Sequence, residues 1–176
     1  MPVRKTLVML ITMLLLLLIA APVFAMQGHI PLPEGIRADT ILVEKAARLL
    51  TLYRDGERIK SYRISLGGKP VGPKVRQGDL RTPEGRYRIA SRNEQSRFHR
   101  ALRISYPNTR DLRRAHKMGV SPGSDIMIHG LGDRFAWLGR QHFLADWTEG
   151  CIAVTNEEIE EIWRLVPDGA GVLILP

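Results

Sequence analysis

From residue 40 onward the apolar residues come in short bursts, each cut off by glycine, proline or an Asp-Gly pair. With 16 glycines and 11 prolines spread through 176 residues, few stretches let a helix propagate. Glycine costs backbone entropy there, and proline removes a donor. Short strands joined by tight turns satisfy the same pattern. Residues 40–45 and 48–53 carry the first two strand signals. Asp55-Gly56 follows, a dipeptide that accepts the positive φ of a type I′ hairpin turn. Residues 58–66 answer as the partner strand, with Tyr62, Ile64 and Leu66 on one face. Further strands are expected at 86–90, 101–105, 126–128 and 172–175, with the polar stretch 91–100 as a break.

Two helices stand out against this background. Asn108 suits the cap of a short one running to about Lys117. Thr155-Asn156-Glu157-Glu158 has the spacing of a capping box, and Ile159, Ile162, Trp163 and Val166 then recur at helical intervals. That periodicity makes Trp163 a core residue. Residues 131–147 suit either a short helix or a lid-like loop. Residues 67–79 form a long turn-rich loop bearing Lys69, Lys74 and Arg76, and such loops in compact domains are usually functional or mobile. The reading is one β-dominated domain with a few short helices.

The first 25 residues stand apart. Arg4 and Lys5 precede an almost wholly apolar run from 7 to 21, and Val23-Phe24-Ala25 offers the small residues an export peptidase reads. The expected layout is a signal peptide at 1–25 cleaved after Ala25, a leader at 26–39 and the domain at 40–176. An uncleaved anchor is the alternative. Either way the domain is exported, to the periplasm or cell envelope, and touches membrane only through that segment. The formal charge is +8, of which Arg4 and Lys5 carry two, leaving +6 on the mature part. Nucleic acid is the reflex partner for such a balance. Export and the lack of any nucleic-acid-reading motif argue against it, and an anionic polymer outside the cytoplasm fits better.

The strongest chemical signal lies between 125 and 154. Cys151 is the only cysteine, so it has no internal disulfide partner, and it follows Gly150 directly. His129 ends an apolar strand upstream. An imidazole beside a thiol is the usual means of making a thiolate near neutrality, and the pair is expected to hold the thiol pKa below that of free cysteine. Gly150 permits a sharp turn that would aim backbone amides at a developing oxyanion. Zinc is discounted, because Cys151, His129 and His142 have no recognised ligand spacing. His116 and His142 are expected on the surface. Trp147 and Tyr106 are open between lining a cleft and supporting the core, and Glu149 is given no catalytic role.

Together the opening hairpin, Leu66-Gly67, Thr82-Pro83-Glu84-Gly85-Arg86-Tyr87, Ile126-Met127-Ile128-His129-Gly130 and Thr148-Glu149-Gly150-Cys151-Ile152 resemble the L,D-transpeptidase catalytic-domain family. The resemblance implies a β-sandwich-like fold of mixed strands, with Cys151 as nucleophile and His129 as proton donor and acceptor. The backbone amides of Gly150 and Cys151, with Glu149 beside them, would form the oxyanion hole, and no cofactor is needed. It implies acyl transfer at the diaminopimelate of peptidoglycan stem peptides, through a thioester taken up by an amine. The acceptor amine is that of a second stem or of a wall-linked lipoprotein. Hydrolysis on the same fold, or a non-catalytic peptidoglycan-binding module, are the alternatives. The chain departs from the family pattern at Glu149, where histidine is usual, and at Ala153, where a basic or amide residue is usual.

Overall fold

A computed structural model describes residues 31–176. The expected export segment, its cleavage point and the first part of the leader lie outside the described residues. Eight strands form the body: β1 (Thr40–Glu44), β2 (Leu49–Arg54), β3 (Glu57–Arg63), β4 (Gly85–Ser96), β5 (His99–Ile104), β6 (Met127–His129), β7 (Ile152–Ala153) and β8 (Gly171–Leu175). They lie side by side in the order β3-β2-β1-β8-β4-β5-β6-β7. Pairing is mixed: β1 with β8 and β6 with β7 run parallel, and the other neighbours are antiparallel. The expected hairpin joins β2 to β3, with Asp55 at φ 51° and Gly56 at φ 81°.

Strand β4 changes partner along its length, residues 85–88 pairing with β8 and later residues with β5. The chain leaving β3 then docks on the opposite end of the array. Ser65 exchanges backbone bonds with Ala153 (3.0 and 2.9 Å), Thr148 N–H donates to Leu66 O (3.1 Å) and Gly68 N–H to Thr148 O (3.0 Å). The strand array therefore folds over a single interior, where Leu50, Leu52, Ile64, Leu102, Ile128 and Ile152 are fully buried. Each such side chain contributes about 1.5–3 kcal/mol relative to exposure.

The helices are α1 (Thr109–Lys117), α2 (Gly132–Phe135) and α3 (Asn156–Leu165), with a 3-10 segment at Ala136–Leu144 kinked at Gly139. Both expected caps form. Asn108 Oδ1 accepts from the amides of Arg110 (2.9 Å) and Asp111 (3.1 Å), and the Asp111 carboxylate returns to the Asn108 amide (3.0 Å). Thr155 and Glu158 do the same for α3 at 3.2 and 2.9 Å. That helix lays Ile159, Ile162 and Leu165 into the core.

The expected break at 91–100 is instead the end of β4 and the start of β5. Polar residues persist in strand form there because an arginine clamps them: Arg92 lies 4.7 Å over the Trp163 ring, and it donates to Asp168 (2.7 Å) and to Trp163 O (2.9 Å). Trp163 supports the core as expected, under Arg92 and Arg100.

Lys45 was not singled out by any pattern, yet it is 2 % exposed. Its Nζ donates to Gly72 O (2.7 Å), Thr82 O (3.1 Å) and Glu84 Oε1 (2.7 Å), which stitches the end of β1 to the 67–79 loop and to the Thr82-Pro83-Glu84 turn. A buried charge left without its partner is costly. Lys45→Met is therefore expected to lose about 3 kcal/mol or more of unfolding free energy in urea. Adding Glu84→Met should restore part of the loss. A single variant within about 1 kcal/mol of the parent would contradict the stitch, a loss no larger than that of an ordinary point mutation.

Candidate active site

Strands β6 and β7 run parallel, with Ile128 opposite Ile152 and His129 opposite Ala153. Cys151 precedes β7, two residues before the partner of His129, so the two side chains emerge on the same face. Both line one cleft of about 830 Å³. Its other walls come from the 67–79 loop (Lys74, Gln77, Gly78), the β4–β5 turn (Ser96, Arg97, Phe98), the 123–127 segment, and Phe135, Trp147, Thr148 and Glu149.

Gly150 fits its position because no side chain can. Its φ is 131°, and a Cβ there would stand 2.5 Å from Arg81 O and 3.2 Å from Ile126 Cδ1. Thr148 ties the turn together, its Oγ1 accepting from Gly150 N–H (3.1 Å) and donating to Cys151 O (2.7 Å). The Gly150 amide is thus already spent on Thr148. Of the two amides expected to face an oxyanion, that of Cys151 is the uncommitted one among the described residues.

His129 is 2 % exposed and stacks on Phe98 at 4.4 Å, with Trp147 edge-on at 6.0 Å. Its Nδ1 lies 2.6 Å from Gly130 O, and a carbonyl only accepts, so Nδ1 carries the proton. Nε2 then keeps a lone pair. Burial pushes the imidazole pKa down to about 4, opposed by the Gly130 hydrogen bond and assisted by the charge of Arg97. The sulfur of Cys151 sits 3.6 Å from Asp125 O, and Asp125 is itself held at φ 58°. Burial pushes the thiol up; the Met127 amide and Lys74 act against it, while Glu149 and Asp125 add to it. This runs against the expected imidazolium-thiolate pair, because desolvation penalises both ions, pushing the thiol up and the imidazole down.

Other expectations resolve plainly. His142 is not a surface residue but is 3 % exposed, with Ser65 Oγ 3.1 Å from its Nδ1 and donating to its carbonyl at 2.7 Å. Its two bonds to Ser65, far away in sequence, hold it inward, a partner that local periodicity does not reveal. His116 is exposed, as expected. Trp147 lines the cleft, whereas Tyr106 is buried support and donates to Pro122 O at 2.8 Å. Glu149 is exposed at the cleft. Phe98, Arg97 and Asp125 were missed, since the first two lie in a stretch read only as polar. Lys74 belongs to the loop already marked by its length.

Residues 38–174 match the YkuD family, the L,D-transpeptidase catalytic domain. The chain belongs to that family. It is 37 % identical over 134 residues to YafK of Escherichia coli (strain K12), a match covering 72 % of this chain and 46 % of YafK. The chain thus spans about half the length of the curated relatives it matches. Among solved structures it resembles the helical cell shape determining protein Pgp2 of Campylobacter jejuni at TM-score 0.61 and 27 % identity, over 80 % of this chain and 48 % of Pgp2. Bd1075 of Bdellovibrio bacteriovorus is similar at TM-score 0.57 and 25 % identity, over 83 % of this chain and 50 % of that one. An L,D-transpeptidase from Mycobacterium smegmatis shares the fold at TM-score 0.52 and 15 % identity, over 79 % of this chain and 59 % of its own.

The two buried histidines generate a pH dependence. Each imidazole takes a proton near 6.5 when unfolded but only near 4 when folded. The unfolded chain therefore binds more protons between those values, and stability falls as pH drops through the window. Each histidine accounts for up to about 3 kcal/mol of the loss. Urea unfolding at pH 7 and pH 4.5 measures it. The His142→Gln variant should show a shallower slope, and an unchanged slope would remove His142 from the account.

Proposed function

We propose that this domain is a cysteine acyltransferase of peptidoglycan, acting outside the cytoplasm on the diaminopimelate bond of stem peptides. The observation carrying the reading is that Cys151 and a His129 kept neutral, whose Nδ1 proton is given to Gly130 O, line one cleft. An unprotonated imidazole is the form a general base needs. In the first half-reaction the Cys151 proton passes to His129 Nε2 and the sulfur bonds to the scissile carbonyl carbon. The oxyanion that forms is met by the Cys151 amide. The C–N bond then breaks, and His129 returns the proton to the leaving amine. In the second half-reaction an acceptor amine displaces the thiol, again with His129 moving the proton. That acceptor is a second stem or the lysine of a wall-linked lipoprotein. Likeness to a helical cell shape determining protein supports a role in wall remodelling. Export by a cleaved 1–25 segment belongs to the same reading; among the described residues no helix is long and apolar enough to cross a membrane.

Hydrolysis of the thioester is the second reading. The departure at 149 favours it, an exposed carboxylate lining the cleft where the family usually carries an imidazole. Incubating the domain with disaccharide-tetrapeptide and weighing the products separates the outcomes. D-alanine is released either way; a cross-linked dimer marks transfer, and a tripeptide without dimer marks hydrolysis. Unchanged substrate would sink both in favour of a binding module. Cys151→Ala is expected to lower turnover by orders of magnitude while shifting unfolding by only about 1 kcal/mol. Retained activity with a lowered melting temperature would make the thiol mere packing.

A further inference from the structure

We infer that Lys74, on the 67–79 loop, is the fixed cation that steadies the Cys151 thiolate, a positioning residue acting through the sulfur. The inference rests on Cys151 being the nucleophile. His129 cannot supply that charge at rest, since it is neutral and its one N–H is given to Gly130 O. Ala153, where the family usually has a basic or amide residue, brings none. Two cations line the cleft with Cys151, Lys74 and Arg97. Arg97 is exposed and lies 4.8 Å over the Phe98 ring, so water screens it. Lys74 is 4 % exposed, where screening is weak, and its charge acts on the Cys151 sulfur in favour of the anion.

The loop holds that ammonium in place. Lys74 Nζ donates to Asp79 Oδ1 (2.9 Å) and to Arg76 O (3.3 Å), leaving a third donor. The Asp79 carboxylate also takes the amides of Val75 (2.7 Å), Arg76 (3.0 Å) and Arg81 (3.1 Å), so its negative charge is shared with backbone dipoles. Lys45 pins the loop at Gly72 O, and Gln77 N–H pins it to Ser121 O at 2.8 Å. The opposing groups are Glu149, which is exposed, and Asp125, which pairs with Arg103 at 3.0 Å. Both are weakened by water or by a partner, whereas Lys74, though paired with Asp79, is buried in the wall of the cleft that Cys151 also lines.

Alkylation of Cys151 by iodoacetamide across pH 5 to 10 tests this and needs no turnover. Removing a cation lowers the thiolate fraction, so Lys74→Met should react about tenfold more slowly at pH 7, with its midpoint moved to higher pH. Lys74→Gln, which keeps a hydrogen-bonding tip for Asp79, is expected to do the same if the Met variant does not fold. Lys74→Arg keeps the charge and should stay within about twofold of the parent. Melting temperatures identify which variants are folded. A folded neutral variant with the parent profile overturns the proposal. So does a folded Lys74→Arg that slows as much as the neutral ones, since the loop's shape rather than its charge would then matter. A domain that turns over no muropeptide still reports on Lys74, and a failed Lys74 leaves the acyl-transfer reading standing.

Discussion

The cleft depends on three backbone segments crossing with no side chain between them. A Cβ on Gly67 would run into Leu80 O and stand 3.1 Å from Gly150 Cα, and one on Gly150 would reach Arg81 O. Leu66-Gly67, Leu80-Arg81 and Gly150 are therefore stacked at backbone contact, a closeness only glycine permits. The Thr82 side chain secures one layer by accepting from Gly67 N–H at 3.1 Å, and Lys45 secures it again from beneath. Thr148 secures the other through Leu66 and Gly68. The Thr82-Pro83-Glu84-Gly85 turn thus lies far from the chemistry in role and close to it in space. It holds the turn that presents Cys151.

Burial governs the electrostatics of that turn. The thiol and the imidazole are each pushed towards neutrality by desolvation. Moving the proton between them creates two charges in a site that penalises both. The barrier then depends on which fixed charges and dipoles already point at the sulfur: the Met127 amide, the Lys74 ammonium and, in opposition, Glu149 and Asp125. Aromatic packing by Phe98 and Trp147 keeps the imidazole dry, and the Gly130 carbonyl fixes which nitrogen faces outward.

Much of this was legible from residues alone. The Asp55-Gly56 hairpin, the Asn108 and Thr155 caps and the helical spacing of Ile159 and Ile162 follow from local rules, and local rules survived folding. So did the placing of His129 and Cys151 in one cleft, because a strand end and a Gly-Cys turn carry strong signatures. What was illegible depended on distant partners. Nothing near Lys45 in sequence announces Gly72, Thr82 and Glu84, and nothing near His142 announces Ser65. The polar run at 91–100 reads as a break until Trp163, some seventy residues on, is seen beneath Arg92. The thiol's ionisation failed for the same reason, since proximity of an imidazole is local but its dryness is not.

The two departures from the family pattern act in one direction. A carboxylate at 149 and an alanine at 153 both make the surroundings of the thiol less positive. Ala153 is fully buried and paired through its backbone with Ser65, whose hydroxyl is held by His142, so a long basic side chain there would have to displace that pair. A cation at 153 would have to be accommodated against the contact that closes β7 onto the segment after β3. The cations that line the cleft with Cys151 are Lys74 and Arg97, and Lys74 sits on the loop that Lys45 pins at Gly72. Charge placement and the closing of the strand array are linked in this chain, because position 153 lies in the contact that seals the array.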